Sequence, residues 1–256
     1  MQDTEFRILY QNQAQKQLMG EHVGEYCYRA YQGRETVCDG CHLVQTFRDG
    51  RIYKVENSST AGSGRLAVEI TASPLRDQSG MIVGGIEVVR DISARKEAEE
   101  KMRYMSTHDI LTGLYNRAYF EEEMARLERG RTQAVSIIMA DMDGLKEVND
   151  SMGHAAGDRM LQEAARIFKS VFRAEDMVAR IGGDEFAVLL PDSGAAAVEV
   201  IIARINTTLA SHNGSTKDVS LSLSFGAATA ENGMTLVEAL KLADERMYRA
   251  KFARAG

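Results

Sequence analysis

The fold of this chain is decided by the stretch Arg180-Ile181-Gly182-Gly183-Asp184-Glu185-Phe186, which continues as apolar residues up to Leu190. Two glycines before two acids predict a tight hairpin turn into a buried strand, because glycine accepts positive φ without steric cost. A second apolar run, Val135 to Ala140, also leads into carboxylates, at Asp141 and Asp143. If the two strands are neighbours in one sheet, these carboxylates meet at one end of it.

Carboxylates gathered in this way indicate a site for Mg²⁺ or Mn²⁺. Such ions bind carboxylate oxygens, and Mg²⁺ commonly binds the phosphates of a substrate at the same time. An ordinary solvated acidic turn would explain either motif alone. Two such motifs beside two buried strands are seldom a coincidence, so the pair predicts a metal site that works on a phosphorylated substrate.

The rest of the C-terminal half alternates between helix and strand signals. Amphipathic spacing predicts the helices, and short apolar runs predict the strands. The predicted helices are Tyr119 to Glu128, Asp158 to Phe172, Val198 to Leu209 and Leu236 to Lys251, and a further strand is Val219 to Ala227. Helices and strands mixed in this way predict an α+β fold, with helices packed on a sheet.

The N-terminal part reads as a series of shorter elements. A helix is predicted at Gln13 to Met19, and strands are predicted at Phe6 to Tyr10, Ile52 to Val55, Leu66 to Ser73 and Met81 to Val89. Together they indicate a separate small domain with an antiparallel sheet and helices.

A helical linker is predicted at Ser93 to Ser106, which lacks Gly and Pro and is rich in charged residues. Ala98, Met102 and Met105 fall at i, i+4 and i+7, so they form one stripe on a helix. This stripe favours pairing of the linker with a second copy of itself; a solitary solvated helix is the alternative.

Composition sets limits on the class of protein. Hydrophobic residues make up 44% and charged residues 27% of the 256 residues, a balance typical of a globular protein. The net charge of −6 argues against a nucleic acid polymer as partner. No apolar run approaches the roughly 18 residues of a membrane span, and Met1 to Glu5 do not resemble a secretory signal. Three cysteines are too few for a disulfide scaffold, so we expect a cytoplasmic protein.

Several spaced motifs resemble the GGDEF family of diguanylate cyclases. The first is Gly182-Gly183-Asp184-Glu185-Phe186 itself. The others, in chain order, are Asp109-Ile110-Leu111-Thr112-Gly113-Leu114-Tyr115-Asn116-Arg117, Asp141 to Asp150 with Gly153-His154 and Gly157-Asp158, Ser224-Phe225-Gly226-Ala227, and Ala243-Asp244 with Tyr248 and Ala250-Lys251. The resemblance covers residues 106 to 256 and is specific, because the motifs agree in order. It implies a fold with a palm-like central sheet flanked by helices. It also implies an enzyme that joins two GTP molecules into cyclic di-GMP and releases pyrophosphate.

The resemblance also implies a role for individual residues. The metal ligands would be Asp141, Asp184, Glu185 and the backbone carbonyl of Met142, and the catalytic residues would be Asp184, Glu185 and Lys146. The substrate would be bound by phosphate contacts from the amides of Gly144, Leu145 and Lys146, by guanine contacts from Asn149 and Asp158, and by Lys251 at the terminal phosphates. His154 would either brace this loop or contact the substrate.

A product-inhibition site is implied by Arg173-Ala174-Glu175-Asp176, since five residues separate Asp176 from Gly182, as in the family. Arg173 and Asp176 would bind cyclic di-GMP, because the guanidinium fork of arginine suits phosphate and guanine edges. Arg204 is a further candidate for this site, from a second surface.

The N-terminal part resembles a PAS sensor domain through Ile8-Leu9-Tyr10-Gln11-Asn12, the three later strands, and Asp91-Ile92-Ser93 leading into the linker. This divides the chain into a sensor domain at residues 1–92, a linker at 93–106 and a catalytic domain at 107–256. PAS domains usually have another strand before the one predicted at Phe6 to Tyr10, so that strand is expected to be missing here or supplied from elsewhere.

The cysteines leave several interpretations open. Cys38-Asp39-Gly40-Cys41-His42 has the form of a c-type haem attachment motif, but such haem is attached outside the cytoplasm. Cys27, Cys38, Cys41 and His42 would form a Zn²⁺ or iron–sulfur site in the sensor domain. Alternatively, Cys38 and Cys41 form a redox disulfide, or all three thiols have no chemical role.

The sequence therefore predicts a homodimeric diguanylate cyclase, regulated by its sensor domain and by its product. A single site holds one GTP and the reaction consumes two, so two sites must face each other. A competing hypothesis is an inactive module that binds GTP or cyclic di-GMP as a receptor. The presence of Asp141, Asp184, Glu185 and Lys146 argues against that alternative.

Overall fold

The computed structural model describes residues 1–61, 64–130, 133–173, 175–215 and 220–255. The chain forms two compact units, Met1–Lys101 and Met102–Gly256. Within the described ranges, no helix combines the length and the hydropathy that a bilayer crossing requires.

The N-terminal unit is built on a four-stranded antiparallel sheet with the order β1-β4-β3-β2. Its strands are β1 (Gln2–Asp3), β2 (Tyr53–Ala61), β3 (Gly64–Arg76) and β4 (Ile82–Asp91), and its helices are α1 (Gln13–Met19), α2 (Cys27–Gln32) and α3 (His42–Asp49). The predicted helix at Gln13–Met19 and the three later strands are confirmed. The strands extend further than predicted because β2 pairs along its whole length with β3, and the rest of β3 pairs with β4.

The strand predicted at Phe6 to Tyr10 was wrong. The short strand lies earlier, at Gln2–Asp3, and pairs with β4. The carboxylate of Asp3 accepts hydrogen bonds from the backbone amides of Glu5 and Arg7, and Phe6 has a φ of 67°. This turn diverts the chain, so that the predicted segment makes only isolated bridges, at Arg7 and Ile8.

The predicted linker is confirmed as a helix, α4 (Ser93–Thr107), with no buried residue. Met102 and Met105, which belong to the predicted stripe, are 62% and 48% exposed. An apolar stripe on an otherwise charged helix is consistent with pairing, which stays a prediction.

The C-terminal unit is built on a five-stranded sheet with the order β5-β7-β8-β6-β9. Its strands are β5 (Tyr115–Asn116), β6 (Val135–Met142), β7 (Met177–Arg180), β8 (Glu185–Leu190) and β9 (Leu223–Ala230), and its helices are α5 (Arg117–Gly130), α6 (Leu145–Met152), α7 (His154–Val171), α8 (Ala195–Ser215) and α9 (Leu236–Ala255). The α+β class is confirmed. Strand β9 begins later than predicted, at Leu223; Val219, where the prediction began, lies outside the described residues.

Strand β6 is buried along its whole length, because helices cover both faces of the sheet. Ile138 and Ala140 pack in a core with α7 and α8, whereas Ile137 and Met139 pack in a second core with α5 and α9. A strand covered on both faces favours apolar residues on both sides, which explains the largely apolar run; the buried hydroxyl of Ser136 donates a hydrogen bond to the carbonyl of Ser193. The rigid strand carries the acidic residues at its C-terminal end.

Candidate active site

The predicted convergence of the acidic residues is confirmed. Strands β6 and β8 are antiparallel neighbours, and Asp141 is paired with Glu185 across them. The amide of Met142 donates a hydrogen bond to the carbonyl of Asp184 (2.9 Å), which joins the two acidic segments directly. Two parts of the sequence far apart in the chain therefore meet at one end of the sheet.

Lysine Lys251 of α9 lies among these carboxylates. Its Nζ donates to Oδ1 of Asp141 (2.6 Å) and is 4.0 Å from Oδ2 of Asp184. The hydrogen bond from Lys251 to Asp141 raises the pKa of the lysine. Burial raises the pKa of Asp141 and outweighs the lysine, and the charge of Asp184 adds to the shift. Burial, followed by the charges of Asp184 and Asp141, also raises the pKa of Glu185. Raised carboxylate pKa values mean that this cluster favours additional positive charge.

The carboxylates of this cluster fit Mg²⁺ or Mn²⁺, which would bind substrate phosphate groups at the same time. Among the described residues, no three His, Cys, Asp or Glu side chains stand together as a ready-made metal cage. Mg²⁺ does not need one, because it commonly uses one or two carboxylates together with waters and substrate phosphates. Asp141 and Asp184, which flank the ammonium of Lys251, are suitably placed to supply those carboxylates.

The two glycines of the turn act differently from the prediction. Neither Gly182 nor Gly183 has a positive φ. Instead, a Cβ atom at position 182 would lie 2.4 Å from Oε2 of Glu185, whereas nothing lies within 4 Å at position 183. Gly182 therefore leaves room for the Glu185 side chain and does not provide a positive φ for the turn.

An ion pair that was not predicted stabilises this turn. Arg180 donates to the carbonyl of Gly183 (2.7 Å) and to both carboxylate oxygens of Asp109 (3.2 and 3.3 Å). Burial acts to raise the pKa of Asp109, but hydrogen bonds from Thr112 and the charge of Arg180 outweigh it and hold the pKa below its ordinary value. Both residues belong to motifs of the sequence, yet only the structure indicates this positioning role.

The start of α6 has no capping side chain for its backbone amides. Gly144 precedes the helix with a φ of 73°. Asp143 accepts hydrogen bonds from Ser222 (2.6 Å) and Ser224 (2.8 Å), which fix the loop to β9. The predicted residues Leu145 and Lys146 begin the helix, and Lys146 is exposed. Helix N-termini with free amides are favourable sites for phosphate groups.

The residues predicted to bind guanine lie on the adjoining helices α6 and α7. Asn149 packs so closely on α7 that a Cβ at Gly157 would lie 2.1 Å from its Oδ1. Asp158 and His154 lie exposed at the beginning of α7. The packing of α6 on α7 thus fixes Asn149 and leaves the polar groups of Asp158 and His154 accessible.

The predicted inhibition residues form a turn between α7 and β7. The amide of Arg173 donates to Oδ2 of Asp176 (2.9 Å), and the Arg173 side chain is 75% exposed. Both residues line a cavity of about 360 Å³ together with His108, Tyr115 and Lys169. Arg204 donates to the carbonyl of Val171 at the end of α7 (2.5 Å), so its guanidinium already has a partner within this unit.

The metal site predicted at the cysteines is not supported. Cys27, Cys38 and Cys41 are free, half-buried thiols, and the described residues contain no metal-binding group that includes them or His42. Burial raises the pKa of Cys27 to about 12 and raises that of Cys41. Metals bind the thiolate form, which this environment disfavours.

Comparisons with known proteins agree with the two units. The family model "Diguanylate cyclase, GGDEF domain" matches residues 106–255, and the PAS fold model matches residues 1–97. The probable diguanylate cyclase DgcE of Escherichia coli is 35% identical over 167 residues, 60% of this chain and 15% of that protein. The cyclic di-GMP phosphodiesterase PdeB of Shewanella oneidensis is 29% identical over 263 residues, 97% of this chain and 30% of that protein.

Among solved structures, the coiled coil and GGDEF domain of DgcB from Caulobacter crescentus, in complex with c-di-GMP, has a TM-score of 0.56 at 27% identity. The match covers 63% of this chain and 89% of the DgcB chain. The chain spans only 15% and 30% of the two curated relatives named above. The N-terminal unit has a PAS fold. Because the GGDEF model matches more than half of the chain, the protein belongs to the GGDEF family of diguanylate cyclase domains.

Proposed function

We propose that the protein is a diguanylate cyclase that condenses two GTP molecules into cyclic di-GMP and pyrophosphate. The observation that carries this proposal is the meeting of Asp141, Asp184 and Glu185 at one sheet end, beside Lys251. Phosphoryl transfer depends mainly on positioning and on neutralisation of phosphate charge, and this arrangement supports both.

Each group of the site has a distinct task in this proposal. Asp141, Asp184, Glu185 and the carbonyl of Met142 hold Mg²⁺ or Mn²⁺, which when bound neutralises charge on the phosphate oxygens. The amides of Gly144, Leu145 and Lys146 bind phosphate, and the ammonium groups of Lys146 and Lys251 balance its charge. Asn149 and Asp158 bind the guanine edge, and His154 lies beside them.

The reaction needs two copies of the chain. Each site holds one GTP, so the 3′-hydroxyl of one GTP must attack the α-phosphate of a GTP in the facing site of a homodimer. We assign the sensor domain to residues 1–92, the linker to 93–106 and the catalytic domain to 107–256, with the linker setting the distance between the two sites. The need for GTP as substrate supports a cytoplasmic location.

Incubation of the purified full chain with GTP and Mg²⁺, or Mn²⁺, tests the cyclase proposal. We expect cyclic di-GMP and pyrophosphate, detected by liquid chromatography and mass spectrometry. The competing function is that of an inactive receptor, which is favoured by the similarity to PdeB, a protein named as a phosphodiesterase. Binding of GTP or cyclic di-GMP without turnover, also after removal of product inhibition, would favour the receptor and contradict the cyclase.

Substitution of Arg173 tests product inhibition. Arg173→Ala removes an exposed guanidinium that would bind cyclic di-GMP. Charge-assisted contacts of this kind contribute about 1.5–3 kcal/mol. We therefore expect the concentration of cyclic di-GMP that halves the rate to rise at least about tenfold. The initial rate without product should be unchanged. The matched control is Arg166→Ala, which removes another exposed arginine, paired with Glu163 on the same helix. Equal inhibition of both variants and the unsubstituted protein would exclude this site.

A further inference from the structure

The proposed reaction gives no task to Arg117, the first residue of α5. The side chain of Asn116 accepts a hydrogen bond from the amide of Tyr119 (2.9 Å), which caps the helix and fixes where it begins. The Arg117 side chain is 70% exposed, and its Nε donates to Oε1 of Glu121 one turn later (2.8 Å). Exposed ion pairs with this i,i+4 spacing stabilise a helix only slightly. The guanidinium can therefore exchange this partner for a stronger one.

The strand register places Arg117 at the sheet end that carries the acidic cluster. One row of paired residues crosses the neighbouring strands β5, β7, β8 and β6, and it consists of Asn116, Arg180, Phe186 and Ala140. The next row toward the sheet end contains Glu185 and Asp141, which are paired with each other. Strands β5 and β6 run in the same direction, so Arg117 follows Asn116 as Asp141 follows Ala140. Helix α5 thus begins level with these two carboxylates.

The two carboxylates also lie on the face of the sheet that α5 covers. Side chains alternate between the faces of a strand, so Asp141 shares a face with Met139, and Glu185 shares one with Ala187. Met139 and Ala187 pack in the core that α5 and α9 form with the sheet. On this face, α9 packs over β6 and β9, whereas α5 packs over β5 and β7. The lysine of α9 and Arg117 of α5 therefore approach the cluster from opposite sides.

Electrostatic interactions connect Arg117 with this cluster. The hydrogen bond to Glu121 raises the pKa of Arg117, and the charge of Glu185 adds to the shift. Burial and three neighbouring carboxylates raise the pKa of Glu185, and the charge of Arg117 opposes that rise. A phosphate chain brings further negative charge to this place, so cations around the cluster stabilise its binding.

The phosphates are the part of a nucleotide that reaches this side. The residues assigned to the guanine edge, Asn149 and Asp158, lie on α6 and α7, which pack on the opposite face of the sheet. A nucleotide held there by its base extends its phosphates past the sheet end, toward the cluster and the face that carries α5 and α9.

We propose that Arg117 binds the terminal phosphates of the nucleotide, on the side of the acidic cluster opposite Lys251. This inference rests on the proposed function, because it assumes a nucleoside triphosphate at the site. A guanidinium donates two parallel hydrogen bonds to one phosphate group, which makes phosphate a stronger partner than the exposed carboxylate of Glu121. Nucleotide binding thus exchanges an ion pair on the surface of α5 for one with the substrate.

Calorimetric titration of the full chain in the presence of Mg²⁺ tests the inference. The probes are α,β-methylene-GTP, which cannot release pyrophosphate, and GMP, which lacks the terminal phosphates. Arg117→Ala should weaken binding of the triphosphate analogue at least about tenfold and leave the affinity for GMP within about twofold. Arg117→Lys keeps the charge but loses the two parallel donors, so its affinity for the analogue should lie between those of Arg117→Ala and the unsubstituted chain.

Two control variants separate a phosphate contact from a change in the helix. Arg126→Ala removes another exposed arginine of α5, which is paired with Glu123. Glu121→Gln removes the ion pair of Arg117 but keeps the arginine. Both variants should bind the analogue within about twofold of the unsubstituted chain, because exposed pairs contribute little to stability. All variants should keep the circular dichroism spectrum of the unsubstituted chain.

The inference is overturned if the unsubstituted chain does not bind the analogue, if Arg117→Ala binds it as tightly, or if either control loses affinity equally. Formation of cyclic di-GMP from GTP is measured separately. If the unsubstituted chain binds the analogue through Arg117 but forms no cyclic di-GMP, the cyclase proposal fails and this inference stands. If it forms cyclic di-GMP and Arg117→Ala binds the analogue unchanged, only this inference fails.

Discussion

Asp141→Asn is expected to lower the rate of cyclic di-GMP formation about 10³-fold, equivalent to about 4 kcal/mol of transition-state stabilisation. Asp141 lies at the centre of the acidic cluster, paired with Glu185 and hydrogen-bonded to Lys251. Asparagine has the same shape but no charge, so it is a far weaker ligand for Mg²⁺ and no longer orients the lysine. Rates are measured from cyclic di-GMP formed by the full chain under saturating GTP.

The fold should survive this substitution. The pKa of Asp141 is raised by burial and by the charge of Asp184, so removal of its charge relieves an unfavourable term. This gain opposes the loss of the partly exposed pair with Lys251, and we expect the free energy of unfolding to change by no more than about 1 kcal/mol. A non-reactive GTP analogue with Mg²⁺ should raise the melting temperature of the unsubstituted protein more than that of the variant.

Asp192→Asn is the matched control for charge removal. Asp192 lies just beyond the far end of β8, is exposed, and has a φ of 51°, a conformation that asparagine accepts. Activity of this control should be unchanged. If Asp141→Asn retained more than a tenth of the activity, the acidic cluster would not be the catalytic centre.

Gly226→Ala is expected to destabilise the C-terminal unit by about 3 kcal/mol, which corresponds to about 10 °C in melting temperature for a unit of this size. Gly226 lies on β9, where α9 packs directly on the strand. A Cβ there would lie 2.1 Å from both the carbonyl oxygen of Ala243 and the amide nitrogen of Met247. Backbone atoms of a helix cannot rotate away as a side chain does, so α9 must shift as a whole and carry Lys251 with it.

Scanning calorimetry of the full chain measures the loss of stability, and hydrogen exchange at the amides of α9 locates it. Cyclase activity should fall together with the stability, because α9 carries Lys251. Gly194→Ala is the control, since nothing lies within 4 Å of a Cβ at that position, and its effect should stay within about 0.5 kcal/mol. Equal effects of the two substitutions would contradict this account of helix packing.

Local sequence patterns predicted the structure correctly where one physical rule dominates the local conformation. The largely apolar run of β6 correctly predicted a buried strand, and the acids after it correctly predicted that carboxylates meet at the sheet end. Hydrophobic periodicity gave the wrong prediction at Phe6 to Tyr10. The side chain of Asp3 binds backbone amides there and turns the chain. Side-chain hydrogen bonds to the backbone are not visible in hydrophobic periodicity.

The sequence motifs also contain glycines whose structural role the motifs alone did not reveal. Gly182 and Gly226 were both part of recognised motifs. Gly182 leaves room for the side chain of Glu185, and Gly226 is required because the backbone of α9 approaches β9 too closely for a Cβ. The positive φ expected for the turn is absent at Gly182. Close approach depends on which elements pack together, which local spacing does not describe.

By itself, the sequence determined the two units, the sheet-end position of the acids and the family, because period, turn chemistry and spaced motifs are local properties of the chain. Only the tertiary structure decided that Lys251 bonds Asp141 and that Arg180 bonds Asp109. Each of these joins residues far apart in sequence. Their electrostatic and hydrogen-bond energies depend on distance and burial, which exist only once the chain has folded.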